Sequence, residues 1–341
     1  MTAPGPTPAP FAAPASFAAP APGRRAALRL AAALPPLAAL AAAQGCADGS
    51  GPDGERRLTL ASGPAGGPFA RFGERLAREV DRRANGLSVR VLHTSASVAN
   101  LRLLGTGAAH LGLSLGDSAA DAAAGRGGFP APLPVTALAR IYLNYTLLVV
   151  LAASRVRRVT DLAGRRVAVG AEGSGTAVVA GRVLAEAGLA RPVRALRLGL
   201  DESAEALRRG EVDAIFWCGT IPTAAISRLA ARTPVRLVPL EGFARALRRR
   251  YGPPYVAVSV AARTYRLPSE VPTVGVPSYL VARRDLPARV AYTVTRVMFD
   301  ARDRLPGPEV PGGYLDQRYA IGTGTVPLHP GAVRYYRATY G

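Results

Sequence analysis

Small residues with free backbone N–H groups stand at two similar points of the chain, residues 62–69 (SGPAGGPF) and 170–176 (GAEGSGT). Each stretch follows a short apolar run typical of a strand and precedes a helical spacing of apolar residues. The first turn of a helix exposes unpaired N–H groups and the positive end of the helix dipole, which together bind anions such as carboxylates. Two such turns in two halves of the chain predict the two walls of one ligand cleft.

The elements that must position these turns alternate between strand and helix. In the first half, strands are predicted at 58–61, 87–93 and 108–115, and a helix follows each of them. This order predicts a largely parallel sheet, and the ligands of such sheets bind beyond the carboxyl ends of the strands. The second half repeats the alternation between residues 166 and 239. The predicted fold class is therefore α/β, with two doubly wound domains.

Two long apolar runs, 138–151 and 271–282, predict strands that cross between the two halves. Two crossings join the domains by a two-strand hinge, and such an architecture closes over a small ligand. The predicted organisation is an export signal, a flexible tether and two domains of which the first is discontinuous. The corresponding ranges are 1–46 for the signal, 47–55 for the tether, 56–141 plus 277–341 for the first domain and 142–276 for the second.

Candidate ligand contacts are the small and polar residues in the two turns and at the carboxyl ends of the predicted strands. They are Ser62, Gly66, Gly67, Phe69, Ser95, Ser97, Leu115 and Asp117 in the first half and Ser174, Gly175, Thr176, Cys218 and Gly219 in the second. Structural alternatives stay open, because small residues suit any strand-to-helix turn, Asp117 fits a helix cap and Cys218 fits a buried apolar position. Cys218 has no histidine nearby, so neither a nucleophile nor a metal ligand is predicted there.

Several segments resemble, by their order and spacing, the TAXI family, the solute-binding subunits of TRAP transporters. They are SGPAGGPF (62–69), SVANLRLL (97–104), LG (111–112), DLAGRRV (161–167), GSGT (173–176), DAIF (213–216), VPTVGVP (271–277) and PLHPGAVRYY (327–336). The resemblance covers residues 56–341. It implies the periplasmic-binding-protein fold of type II, with two crossings, and capture of a small carboxylate-bearing solute such as glutamate outside the membrane. It also implies delivery to membrane subunits driven by an ion gradient, with no catalysis and no cofactor.

The chain departs from the family pattern at three places, all in the first half. Phe69 stands where the family often has tyrosine, and Ala96 stands where it has glycine before the serine. The segment Leu115-Gly116-Asp117 lacks the glutamine that commonly precedes the aspartate. Fewer side-chain donors then face the cleft. We therefore predict a ligand less polar than glutamate, or a cleft that relies on the backbone N–H groups of the two glycine turns.

The first 46 residues have the composition of an export signal. A Pro/Ala-rich leader precedes Arg24-Arg25, and an apolar run at 26–43 ends just before Cys46. Cys46 stands where bacterial lipoproteins carry a lipidated cysteine, and secretion with removal of Cys46 is the alternative. The arginine pair is compatible with the Sec or the twin-arginine route. The predicted location is outside the cytoplasm, with a lipid anchor in the outer face of the cell membrane.

The charge of the chain is strongly positive, with a formal net charge of +20 over 341 residues and no lysine among its 43 basic residues. The arginines are spread along the sequence and are not interleaved with aromatic residues, which disfavours nucleic-acid binding. A basic surface of this kind attracts anionic lipids or anionic ligands. The sequence therefore predicts small organic acids or amino acids and a membrane surface as partners.

Two other functions compete with solute delivery. The segment GLSLG at 112–116 matches the nucleophile-elbow pattern, and His329 would complete a Ser114 triad. No oxyanion segment precedes it and the acid, Asp213 or Asp285, is arbitrary, so a serine hydrolase is a distant alternative. The three histidines lack metal-ligand spacing, so no metal site is predicted. A ligand-sensing partner of a membrane histidine kinase fits the sequence as well as a transporter subunit does.

Overall fold

Strands and helices alternate along the chain in the computed structural model, which describes residues 56–306 and 315–341. The predicted export signal, Cys46 and the tether lie outside these residues. The strands are β1 (Arg56–Ala61), β2 (Leu87–Leu92), β3 (Leu111–Leu115), β4 (Val135–Leu151), β5 (Arg166–Ala168), β6 (Arg194–Leu196), β7 (Ala214–Gly219), β8 (Val235–Leu237), β9 (Val256–Val260) and β10 (Val271–Arg283). The helices are α1 (Pro68–Arg83), α2 (Ser97–Thr106), α3 (Gly116–Ala124), α4 (Gly175–Glu186), α5 (Leu200–Arg208), α6 (Ala224–Arg232), α7 (Phe243–Tyr251), α8 (Ala288–Asp300), α9 (Gln317–Ala320) and α10 (Pro330–Tyr340). None of the described helices has the length and apolar character that crossing a membrane requires.

The first region consists of the parallel strands β1–β3 and the helices α1–α3 that follow them. β1 lies in the middle, with Leu60 opposite Val91 on one side and opposite Leu111 on the other. α1 forms because its apolar residues recur at helical spacing, and it buries a stripe that includes Phe72 and Val80 in the main apolar core. The strands therefore end, and the helices begin, at one edge of this region.

The second region consists of the parallel strands β5–β7 and the helices α4–α6. β5 is central, with Val167 opposite Ala195 of β6 and opposite Ala214 of β7. Ile215 and Leu229 belong to an apolar cluster on this side of the molecule. The second region thus repeats the order of strand, turn and helix seen in the first, as the alternation in the sequence predicts.

β4 and β10 join the two regions as a long antiparallel pair, from Val135 opposite Arg283 to Thr146 opposite Val274. β3 pairs with one part of β10 and β7 with one part of β4, which gives one sheet of order β2-β1-β3-β10-β4-β7-β5-β6. The predicted α/β fold with two strand crossings is confirmed. The prediction of a largely parallel sheet is wrong at its centre, because each crossing strand runs antiparallel to its neighbours. The predicted domain boundaries stay predictions.

Several local predictions are corrected by the structure. Cys218 and Gly219, expected in a turn or at the end of a strand, still pair with β4 and belong to β7. α4 begins at Gly175, within the stretch 170–176 that was expected to precede it. The sequence patterns also missed α7, β9 and α10. α7 buries only Ala244 and Leu247 in an arginine-rich segment, so its apolar stripe is too short to stand out.

Candidate functional site

A cavity of about 420 Å³ lies between the two regions. The first turns of five helices reach it: α1 and α2 from the first region and α4, α5 and α6 from the second. Its lining segments are residues 64–69 with Arg71, 95–97, Leu115, Asn144, 170–171, 174–176, 198–203, 216–219, 223–225 and Arg228. Helix N-termini carry unpaired N–H groups and partial positive charge, so this arrangement favours an anion in the cavity.

The turn before α1 is open toward the cavity. Gly66 has φ +73°, and a Cβ at this position would meet no atom within 4 Å. The N–H of Gly67 donates to the Pro64 carbonyl oxygen at 2.9 Å, which closes the turn just before the helix. Pro68 is the first residue of α1 and has no N–H, so the N–H of Phe69 is the first donor that this helix offers.

The turn before α4 is instead packed against the first region. The Gly173 carbonyl oxygen accepts the N–H groups of Val98 at 3.0 Å and of Ala99 at 3.1 Å, so the first turn of α2 is already bonded to it. Ser174 caps α4, since its Oγ accepts the Ala177 N–H at 3.1 Å. The N–H groups of Gly175 and Thr176 remain at the start of α4, beside the cavity.

Several hydroxyl groups that line the cavity support the loops around it. Ser97 Oγ accepts the Leu115 N–H at 3.0 Å, and Thr176 Oγ1 accepts the Cys218 N–H at 3.2 Å. Thr223 Oγ1 donates to the Thr220 carbonyl oxygen at 2.5 Å and accepts the indole N–H of Trp217 at 3.0 Å. These hydroxyl groups are therefore hydrogen-bonded to the protein itself. Apolar side chains such as Phe69 and Trp217 also line the cavity.

Eleven of the thirteen predicted contacts line the cavity, from both regions. They are Gly66, Gly67, Phe69, Ser95, Ser97, Leu115, Ser174, Gly175, Thr176, Cys218 and Gly219. Ser62 and Asp117 do not line it. Ser62 is fully buried, and its Oγ donates to the Leu92 carbonyl oxygen at 3.1 Å, which ties β1 to β2. Ligand contact by the eleven residues stays a prediction.

Asp117 belongs to a buried ionic cluster that connects the two regions. Its Oδ2 lies 3.4 Å from Arg182 Nη1 and accepts the Tyr255 hydroxyl at 2.7 Å. Arg182 also pairs with Asp121 and lies 4.3 Å above the centre of the Tyr251 ring. Burial raises the pKa of Asp117, and the Arg182 guanidinium opposes that rise. Asp117 therefore holds α3 against α4 rather than facing the cavity.

The residues of the nucleophile alternatives are not arranged for catalysis. Burial raises the pKa of the Cys218 thiol to about 12, so the reactive thiolate is scarce near neutral pH. Ser114 is fully buried and donates to the Leu115 carbonyl oxygen at 2.9 Å, while His329 Nδ1 accepts the Gly331 N–H at 3.1 Å. The described residues thus form no Ser114–His329 hydrogen bond. They also contain no group of three or more histidine, cysteine or acidic residues suited to a metal ion.

Sequence patterns missed part of the cavity wall. The starts of α5 and α6 follow no glycine–serine turn, and α5 begins with the acidic pair Asp201 and Glu202. Asp201 pairs with Arg228 at 2.6 Å, and both side chains are exposed at the edge of the cavity. Asn144 was also missed, although a lone amide inside the apolar run of β4 was the available signal.

Comparison with known proteins identifies the family. The profile of the NMT1-like family matches residues 60–339, most of the chain. The chain belongs to the NMT1-like family. The match includes both crossing strands and most of both regions. All residues that line the cavity of this NMT1-like chain lie within the matched range.

Solved structures similar to this NMT1-like chain include sulphonate-binding proteins of bacteria. One is the periplasmic aliphatic sulphonate binding protein SsuA from Escherichia coli, with 15% identity over 82% of this chain and 78% of that one (TM-score 0.43). Another is the alkanesulfonate-binding protein SsuA from Xanthomonas axonopodis pv. citri bound to MOPS, with 20% identity, 82% and 83% coverage and TM-score 0.46. A third concerns glutathione import via GshT and TcyBC of Streptococcus mutans, with 12% identity, 73% and 90% coverage and TM-score 0.46. The solute of each is a property of that protein.

Proposed function

We propose that this chain is an extracytoplasmic solute-binding protein that captures a small carboxylate-bearing solute in the cavity between its two regions. The observation that carries the proposal is the convergence of helix N-termini from both regions on one cavity of about 420 Å³. α1 supports it from the first region, and α4 and α6 support it from the second, whereas the first turn of α5 carries Asp201 and Glu202. Their summed N-terminal dipoles favour one anionic group without a dedicated positive side chain.

The lining supports a solute less polar than glutamate. Arg228 is paired with Asp201, whereas Arg71, which donates one N–H to the Gly66 carbonyl oxygen at 2.8 Å, forms no ion pair among the described residues. Arg71 and the helix N-termini can match one carboxylate, but a second carboxylate would face the negative charges of Asp201 and Glu202 in the same lining. Phe69 and Trp217 offer apolar surface instead. We infer that the solute has one carboxylate and an apolar body.

Calorimetry with a panel of carboxylates tests this proposal. We expect monocarboxylates with apolar bodies to bind more tightly than glutamate, and Phe69→Ala to weaken that binding. Ser174→Ala, which removes the cap of α4, should also weaken it, whereas Gly181→Ala on the exposed side of the same helix should not. Micromolar glutamate binding that both Phe69→Ala and Ser174→Ala abolish would contradict the preference for a less polar solute. If no carboxylate of the panel bound, the proposal that the solute carries a carboxylate would be contradicted.

Delivery to TRAP membrane subunits is the finer part of the proposal. It follows from the resemblance of segments such as 62–69 and 173–176 to the TAXI family, and it requires a hinge at β4 and β10 that opens and closes the cavity. Uptake of the bound solute into vesicles that carry the membrane subunits should need an ion gradient and should continue without ATP. Uptake that requires ATP would contradict it.

A lipid anchor at Cys46 is proposed with it, and the residue lies outside the described part of the chain. Cells grown with labelled palmitate should transfer label to the wild-type chain and not to Cys46→Ala. Cys218, the other cysteine of the sequence, is buried and free, so Cys218→Ala should leave labelling unchanged and serves as the control. Equal labelling of wild type and Cys46→Ala would place any lipid elsewhere.

A further inference from the structure

Asn144 is a buried amide in the wall of the cavity, at the centre of the strand pair that joins the two regions. It lies on β4 opposite Val276 of β10, is 2% exposed and belongs to the lining. Apolar and tyrosine side chains flank it in β4, which also contains Thr136, Arg140 and Thr146. A polar side chain at such a position needs hydrogen-bond partners, because an unpaired buried polar group destabilises the folded state.

One end of this amide is committed to the protein. Nδ2 donates to the Val276 carbonyl oxygen at 3.1 Å and to Ser278 Oγ at 2.5 Å. A carbonyl oxygen only accepts, so these bonds fix which end of the amide is nitrogen and turn Nδ2 toward β10. Within residues 56–306 and 315–341, no donor forms a hydrogen bond with Oδ1. Oδ1 is also not completely buried by protein atoms. Oδ1 is therefore the atom left to face the cavity.

Oδ1 differs in kind from the groups at the helix starts. The N–H groups of Phe69, Gly175 and Thr176 are donors and suit an anion. An amide oxygen only accepts, so it suits a hydroxyl, an ammonium or an amide N–H of the ligand. One cavity thus presents donors from two opposing regions and a fixed acceptor from the hinge strand between them.

We propose that Asn144 is a specificity-determining residue and that the solute carries a hydrogen-bond donor in addition to its carboxylate, as hydroxy- and amino-carboxylates do. The inference rests on the proposed function, since it concerns the second polar group of the same solute. A site whose buried polar group is satisfied by the ligand discriminates against an analogue that lacks the matching group, because that analogue leaves the acceptor unpaired.

The test measures binding of matched carboxylates by calorimetry with the full chain. Each series keeps one carbon skeleton and varies one group: hydrocinnamate, phenyllactate and phenylalanine; isocaproate, leucic acid and leucine; glutarate, hydroxyglutarate and glutamate. In the series that binds best, we expect the hydroxy or amino member to bind about tenfold more tightly than the member without a donor, the effect of one hydrogen bond. In Asn144→Leu, this difference should disappear, because the variant has no acceptor at this position that a donor-free member would leave unpaired.

Thr273→Val is the matched control. Thr273 is buried on β10, its Oγ1 donates to the Thr146 carbonyl oxygen of β4, and it does not line the cavity. The variant therefore removes a hydrogen bond of the same strand pair while Oδ1 of Asn144 stays in place, and it should keep the tenfold preference. The wild-type series tests the proposal even where Asn144→Leu does not fold.

The outcomes separate this inference from the proposed function. Equal affinity of the donor-free and donor-bearing members in the wild type overturns the role of Asn144 and leaves a carboxylate-binding protein. A preference that persists in Asn144→Leu, or that Thr273→Val also removes, overturns it as well. No binding of any member overturns the proposed function, and the inference falls with it.

Discussion

The two glycine turns share a sequence pattern and occupy different environments. At Gly66 a Cβ would meet open space, and the turn faces the cavity. At Gly175 a Cβ would lie 2.6 Å from Leu115 Cδ1 and from Ser97 Oγ, both in the first region. The first turn is thus a free edge of the cavity, whereas the second is wedged between the two regions.

This difference shows that a strand–glycine–helix pattern predicts where a turn lies and not which task it performs. The second turn contributes N–H groups to the cavity and also its own carbonyl oxygen, at Gly173, to the start of α2. Contact between the regions therefore depends on α4 in two ways. One is this turn, and the other is Arg182, about two helix turns after Gly175. Changes in α4 should consequently act more strongly than changes in the first turn.

The largest effect is expected for Arg182→Met. The substitution leaves Asp117, which is 1% exposed, without its guanidinium, and removing one partner of a buried ion pair costs about 3–5 kcal/mol. The free energy of unfolding, measured in urea, should fall by about this amount. Arg228→Met removes the exposed pair with Asp201 and should change it by only about 0–1 kcal/mol. Equal losses in the two variants would contradict a connecting role for Arg182.

The loss in Arg182→Met should depend on pH with a defined sign. Burial raises the pKa of Asp117 in the folded state, and removal of the arginine raises it further. A carboxyl group with a raised folded-state pKa destabilises the fold progressively as pH rises from its unfolded pKa to its folded pKa. The deficit should therefore be smaller at about pH 5 than at about pH 8. A deficit that grows toward acid would show that the unpaired carboxylate is not its cause.

An intermediate effect is expected for Gly175→Ala. The new methyl group has no room between Leu115 and Ser97, and overpacking of this kind costs about 1–3 kcal/mol. Gly181 lies on the same helix with no atom within 4 Å of a Cβ, so Gly181→Ala should stabilise the protein by about 0.5–1 kcal/mol. Thermal unfolding of the two variants gives the comparison, and a destabilised Gly181→Ala would indicate that α4 tolerates no change at all.

The smallest effect is expected for Gly66→Ala. Space is available, but φ +73° is unfavourable for a residue with a Cβ, which costs about 1 kcal/mol. Asparagine adopts this conformation more readily, so Gly66→Asn should cost less than Gly66→Ala. If Gly66→Ala lowered the free energy of unfolding as much as Gly175→Ala, the contrast between the two turns would be wrong.

The sequence predicted the parts of the fold that depend on local pattern. Apolar alternation and small turns located the strand–turn–helix units, and the two long apolar runs located β4 and β10. Asp117 was assigned to the cleft because it follows the carboxyl end of β3, yet Arg182 and Tyr255, distant in sequence, bury it in the contact between regions. α10 was missed because its tyrosines show their role only in contact with residues such as Phe299.

The cavity was predicted as far as its glycine turns and incompletely beyond them. Asn144 lies within a run whose apolar character indicates a buried strand, and pattern alone does not tell which way one amide points. The start of α5 carries Asp201 and Glu202, which are typical of any first helical turn and do not indicate a ligand site. These residues reach the cavity because of how the two regions pack, which no single segment encodes.

The crossing strands also determine the order in which the molecule can be completed during synthesis. The strands of the second region and their partner β4 are all made by residue 219, so that region can fold early. The first region is complete only after β10 has been made, because β10 pairs with β3. α10 follows, and its Tyr336 hydroxyl donates to the Leu138 carbonyl oxygen at 2.9 Å. Until β10 emerges, the open side of β3 remains an unpaired edge in a nascent chain, the kind of surface that chaperones cover.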